Sequence, residues 1–169
     1  DPELVKLANK ECLLSSTYEP SSKTKMKLRA APGAGTMYLQ SECAEALAEL
    51  FAGAEEAGYK LYLKSAYRAY KTQKTMYNNR LERNNGKDDG WVSKPGASDH
   101  QTGLGCDVVP GSWKDKSMNS NMASTPECQW MAEHCYEYGF VIRYPEDKQD
   151  ITEINYEPWH LRYVGKEVA

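Results

Sequence analysis

The chain has 169 residues, 40% hydrophobic and 27% charged, with a formal net charge of -3. That length suits one domain with a real core, and the acidic balance argues against a nucleic-acid partner, which requires a basic surface. No run approaches the ~18 apolar residues that would suggest a membrane span.

From the start, Asp1-Pro2-Glu3 has the cap-then-proline grammar of a helix opening, followed by apolar Leu4, Val5, Leu7 and Ala8. Residue 1 is not a methionine, so removal of a leader or anchor is one reading of this end. Residues 15–36, rich in Ser, Lys, Pro and Gly, read as an extended loop. Ser41 is placed to cap a helix over residues 41–57, with Leu47, Leu50, Phe51 and Ala54 on one stripe and Gly58 as its stop. Residues 59–64 alternate apolar and polar side chains and predict a strand. A third helix is expected over residues 69–83, and the polar stretch 84–97 reads as mobile.

Residues 104–109 form a short apolar strand ended by Pro110-Gly111, and Thr125-Pro126-Glu127 opens a helix closed by Gly139. Residues 140–144 and 157–164 read as further strands. Early helices followed by short strands joined by loops predict an α+β fold. The expectation is a single domain over residues 1–169, with a small antiparallel sheet flanked by N-terminal and connecting helices.

The cysteines are Cys12, Cys43, Cys106, Cys128 and Cys135, an odd number with no close pairing. Cys128 and Cys135 lie two helical turns apart, roughly 10 Å, too far for a disulfide. Most are expected to be free and buried, with a Cys12–Cys43 bridge left open.

Two of the three histidines stand in polar, punctuated contexts: Ser98-Asp99-His100-Gln101-Thr102-Gly103-Leu104-Gly105-Cys106-Asp107 and Glu157-Pro158-Trp159-His160. Two neutral imidazoles and a carboxylate (His100, His160 and Asp107) are ligands that zinc accepts while keeping a position for water. Gly103 and Gly105 supply freedom to bend between His100 and Asp107, and a bulge or turn at Pro158 would bring Glu157 to His160. Zinc lowers the pKa of a water it holds to ~7, and Glu157 is the natural acceptor for the proton; it could equally be a surface carboxylate or an outer partner of the ligands. Singly, each motif is a common string. Together they point to one zinc site on the sheet.

These residues resemble the two signatures of the LAS group of zinc peptidases, Ser-x-His-x-x-Gly-x-x-x-Asp and Glu-x-x-His. The run YGFVIRYPEDKQDITEINYEPWHLRYVG, the segment SAYRAYKTQ and the stretch from Leu4 to Lys10 are similar to VanY/VanXY-type D-Ala-D-Ala carboxypeptidases. The resemblance implies one zinc ion on His100, Asp107 and His160, with Glu157 as the base that activates water and then protonates the leaving amine. It implies that Arg68 polarises the scissile carbonyl and stabilises the oxyanion, a task that suits a fixed, permanently charged fork. Gln73 and Ser98 match residues that position the peptide, and Trp159 matches a wall of the site. Their plain alternatives are a solvated helix residue, a loop cap and a core side chain. Gly105 and Cys106 depart from the pattern, in which alanine and an aliphatic residue are common. Cys106 is expected to face the core, and His134 to be a solvated or partly packed helix residue.

The implied activity is D,D-carboxypeptidase cleavage of a stem pentapeptide ending in D-Ala-D-Ala, with a peptidoglycan stem peptide or its precursor as partner and a monomer as the working form. An L,D-carboxypeptidase acting on tetrapeptides is the alternative in the same class, since relatives of that kind carry a similar Ser-Glu-His-Gln-Thr-Gly stretch. A dipeptidase is a third reading, with residues 84–97 and 111–124 as loops that would set specificity. A zinc-binding recognition module without turnover would have no use for both Glu157 and Arg68, and a structural zinc domain would want close cysteine pairs. The resemblance also implies a bacterial source and an extracytoplasmic site of action after loss of a signal or anchor, with the cytoplasm as the alternative. Glycopeptide resistance and wall housekeeping are equally compatible with it.

Overall fold

A computed structural model describes residues 1–169. The first turn, Pro2–Val5, is 3-10 rather than α, with the Asp1 carboxylate accepting from the Glu3 amide. The loop that follows contains one small ribbon, β1 (Thr24–Lys25) paired with β2 (Tyr38–Leu39). Helix α1 covers Ser41–Glu56, and its cap is Gln40 rather than Ser41: the Gln40 side chain accepts from the Cys43 amide. Gly58 ends it at φ +94°, a conformation that costs a residue without Cβ nothing.

Four strands make the main sheet: β3 (Leu61–Ser65), β4 (Gly105–Pro110), β5 (Phe140–Ile142) and β6 (His160–Tyr163). Their order is β3-β4-β6-β5 and every pairing is antiparallel. Helix α2 (Tyr70–Arg83) follows β3, and α3 (Pro126–His134) precedes β5 through a 3-10 turn, Cys135–Tyr138. A short α4 (Gln149–Thr152) lies in the connection to β6, where the sequence carried no helix signal. This is the small antiparallel sheet with flanking helices that the periodicity predicts.

The core joins the stripe Leu47, Leu50, Phe51 and Ala54 of α1 with Leu61, Leu63, Cys106, Val108 and Leu161 of the sheet. Because strand side chains alternate, Cys106 and Val108 belong to that packed face and Asp107 to the opposite one. Asp107 stands directly across from His160 on β6, and Cys106 across from Leu161. One register therefore puts two candidate ligands on one face and the packed pair on the other. All five cysteines are free; Cys12 is exposed and the other four are buried.

Residues 84–97, which read as mobile from their composition, make hydrogen bonds to α2 and to the segment before β6. Arg80 donates to the Asp89 carboxylate through Nε at 2.9 Å and Nη2 at 2.6 Å. Tyr77 donates to Asp88, Gln73 to the Ser93 carbonyl, and Asn155 to the carbonyls of Asp89 and Gly90. The polar residues of this stretch thus find their partners on α2 and on the segment before β6.

Candidate metal and catalytic site

His100 sits in a 3-10 turn, Asp99–Thr102, opened by Ser98, whose hydroxyl accepts from the His100 amide. Gly103 ends the turn at φ +72° and redirects the chain into β4. The bend between His100 and Asp107 thus comes from Gly103 alone. Gly105 has an ordinary backbone, and its missing side chain does something else: a Cβ there would lie 2.6 Å from Oδ1 of Asp99. On the other strand, Glu157 to His160 form a turn closed by the His160 amide donating to the Glu157 carbonyl at 3.1 Å. That turn, rather than a regular strand, brings the two side chains to one place.

His100, Asp107 and His160 each offer a ligand atom, and these atoms all lie within 4.8 Å of one another. All three residues are buried. The Nδ1 of His100 is 2.7 Å from the carbonyl oxygen of Ala66, which can only accept. Its proton is therefore on Nδ1, and Nε2 keeps its lone pair toward Asp107, whose Oδ2 is 3.5 Å away. His160 places Nδ1 2.8 Å from Oδ1 of Asp107 and Nε2 2.7 Å from Oδ1 of Asp99.

The charges follow from these contacts. Burial and the nearby Arg68 guanidinium hold His100 below its ordinary pKa, so it is neutral. Burial alone would also discharge His160, but Asp99 and Asp107 hold its imidazole well above the usual value. Against their own burial, which would raise them, Asp107 is held far below the carboxylate range by His100 and His160, and Asp99 by His160 and Arg162. Two imidazole nitrogens, each ring oriented by an outer hydrogen bond, and one ionised carboxylate fit a small divalent ion of the zinc type.

Glu157 is buried beside this group, and its desolvation pushes the carboxyl up to about 8; His160 and Arg68 draw it down while Asp107 and Asp99 push it up. Arg68 follows β3; its amide donates to the His100 carbonyl at 3.0 Å. Its guanidinium gives one bond to Gln73 Oε1 and one to Ser65 Oγ, both 2.9 Å, and is partly buried. A guanidinium has five N–H donors, so others remain for a ligand.

These residues border one cavity of about 440 Å³, together with Trp91, Tyr144 and Met118. Gln73 is buried in its wall with its amide oxygen taken by Arg68 and its nitrogen given to Ser93. Ser98 caps the turn and also lines the cavity. Trp159 is buried and stacks on Trp91, ring centres 6.4 Å apart. His134 lies away from the cavity and binds Glu137 at 2.6 Å. Cys106 is in the core, as expected. Two residues that sequence reasoning passed over, Asp99 and Trp91, belong to this site. Asp99 was masked by holding a variable place in the motif, and Trp91 by lying in a stretch read as mobile.

The family model described as VanY, D-alanyl-D-alanine carboxypeptidase, matches residues 36–166. YodJ of Bacillus subtilis (strain 168) is 39% identical over 173 residues, covering all of this chain and 63% of its own length. The chain thus spans somewhat less than two thirds of that relative. Among solved structures, the LdcB LD-carboxypeptidase superposes with a TM-score of 0.90 at 38% identity, over 99% of this chain and 79% of the other. An E175A mutant of the D,D-pentapeptidase VanY in complex with Zn(II) superposes with a TM-score of 0.78 at 26% identity, over 98% and 90%.

Proposed function

Since the chain belongs to the VanY family of D-alanyl-D-alanine carboxypeptidases, we propose that it removes the terminal D-alanine from peptidoglycan stem peptides, using one zinc ion held by His100, Asp107 and His160. The observation that carries this reading is the convergence of three oriented donor atoms with Glu157 and Arg68 around one cavity. A bound zinc ion supplies Lewis-acid activation of water and of the scissile carbonyl. Glu157, buried beside the three ligands and lining the same cavity, would as its carboxylate accept the proton from the attacking water and return it to the leaving amine. Arg68 holds the carbonyl oxygen as negative charge develops there, its fork fixed by Gln73 and Ser65. Trp159 and Ser98 wall the peptide's place. Base and oxyanion donor together favour turnover over a purely recognising module. Residues 1–169 would serve as one catalytic domain.

Which bond is cut is a finer matter. The LdcB likeness, the higher of the two in both identity and TM-score, favours L,D cleavage of a tetrapeptide ending in a single D-alanine. The D,D cleavage of pentapeptides expected from the sequence is the second reading, favoured by the family description and by the Zn(II)-bound D,D-pentapeptidase. Incubation of the zinc-loaded protein with defined tetra- and pentapeptide stems, read by mass spectrometry, separates them. Loss of one alanine from the tetrapeptide alone supports L,D cleavage, and loss from the pentapeptide alone supports D,D. No release from either stem would overturn the proposal.

A further inference from the structure

Asp99 is fully buried, and a buried carboxylate is costly unless its charge is used. One oxygen, Oδ1, meets Nε2 of His160 at 2.7 Å. The other, Oδ2, has no hydrogen-bond partner. The carboxylate is packed against Gly105, where a Cβ would come within 2.6 Å of Oδ1, 2.8 Å of the carboxyl carbon and 3.1 Å of Oδ2. Its backbone is also fixed, because the Thr102 hydroxyl donates to the Asp99 carbonyl and Ser98 caps the turn. Arg162, the cross-strand neighbour of Gly105, brings a buried positive charge to the same region.

We infer that Asp99 is the positioning residue for the second histidine ligand, and that position 105 is a glycine to make room for it. This rests on the zinc reading above. An imidazole can offer Nδ1 to a metal only if its proton sits on Nε2, and an acceptor facing Nε2 selects that tautomer. Asp99 supplies the acceptor and fixes the ring's rotation about its bond to the chain. Its negative charge raises the basicity of the ring, so Nδ1 is a stronger donor than it would be opposite a neutral carbonyl. His100 is oriented by such a neutral carbonyl, that of Ala66. The two histidines are therefore unequal, and His160 is the one with a charged support. Asp107 and Asp99 together also supply the two negative charges that balance a buried dication.

The test is the dissociation constant for zinc alone, measured by competition with a chromophoric chelator on the full chain. Asp99→Asn keeps an oxygen facing Nε2 and removes the charge; it is expected to weaken zinc binding about tenfold. Asp99→Ala removes both and is expected to weaken it by up to about 100-fold, the range found for outer partners of metal-bound histidines. Gly105→Ala touches no ligand, yet it should weaken zinc binding because the added methyl displaces the carboxylate. Combined with Asp99→Ala it should add nothing, since no carboxylate is left to displace. If Asp99→Ala does not fold, Asp99→Asn and Gly105→Ala carry the test. Zinc affinities within threefold of wild type for the variants that fold would overturn the inference while leaving the zinc reading intact, as would effects of Gly105→Ala and Asp99→Ala that simply add. Wild-type protein that takes up no zinc would overturn both.

Discussion

At the scale of single residues, Glu157 and Arg68 face the same cavity but are expected to have separable tasks. Glu157 offers no atom to the three-residue ligand group, so Glu157→Ala is expected to abolish nearly all turnover and leave zinc content close to normal, whereas His160→Ala loses both; metal analysis beside a peptide assay checks this. Arg68 is expected to act on charge that exists only in the transition state. Arg68→Lys keeps a charge but cannot hold Gln73, Ser65 and a carbonyl oxygen with one fork. The expected loss is ~2.7–4 kcal/mol, about 10²–10³ in kcat, with KM little changed. Steady-state kinetics showing a rise in KM at constant kcat would make Arg68 a specificity residue instead. Of the site's residues, His100, Asp107, Glu157 and His160 were legible in the sequence because their residue types announce metal chemistry and two short motifs keep them close. Asp99 and Gly105 were not, because their relation is a contact through space between a turn and a strand, with no periodicity to betray it.

At the scale of elements, α1 and the sheet could be read from hydrophobic spacing, since each has one packed stripe or face. The capping of α1 by Gln40 in place of Ser41 was hidden because a glutamine seldom serves as a cap. The partners of residues 84–97 were hidden for a different reason: composition counts polar residues but cannot say that Asp89 meets Arg80, or Asn155 the carbonyl of Asp89. That segment carries Trp91, which stacks on Trp159 at the cavity wall. Asp89→Ala is expected to cost little stability, about 0–1 kcal/mol as for partly exposed ion pairs. It should nevertheless raise KM for a stem peptide by up to about tenfold, because binding must then order an aromatic side chain that was previously held. Thermal denaturation and steady-state kinetics on the same sample measure the two effects. Unchanged KM would remove Trp91 from the binding wall.

At the scale of the whole molecule, four buried thiols set a limit on alkaline stability. Burial pushes Cys128 and Cys135 up to about 11, and Cys43 and Cys106 higher still. Above the thiol's ordinary value the unfolded chain loses these protons while the folded chain keeps them, so the contribution to stability is full below pH ~8.5 and is lost as pH rises toward the folded values. Urea midpoints are expected to fall steadily from pH ~8.5 to ~10.5, and a thiol reagent at pH ~8 should label Cys12 quickly and the other four only on unfolding. Rapid labelling of two or more sites in native protein would contradict this. The guanidinium of Arg162 has a consequence for where this fold may be cut. It is buried, and it donates to the carbonyls of Leu4 and Lys6, far outside the family match that begins at residue 36. A gene trimmed to that match would leave this charged group with the Tyr163 carbonyl alone of its three backbone acceptors. The family match thus begins past residues that complete the core and hold its buried charge: Leu4 packs in the core, and Leu4 and Lys6 supply carbonyls to Arg162.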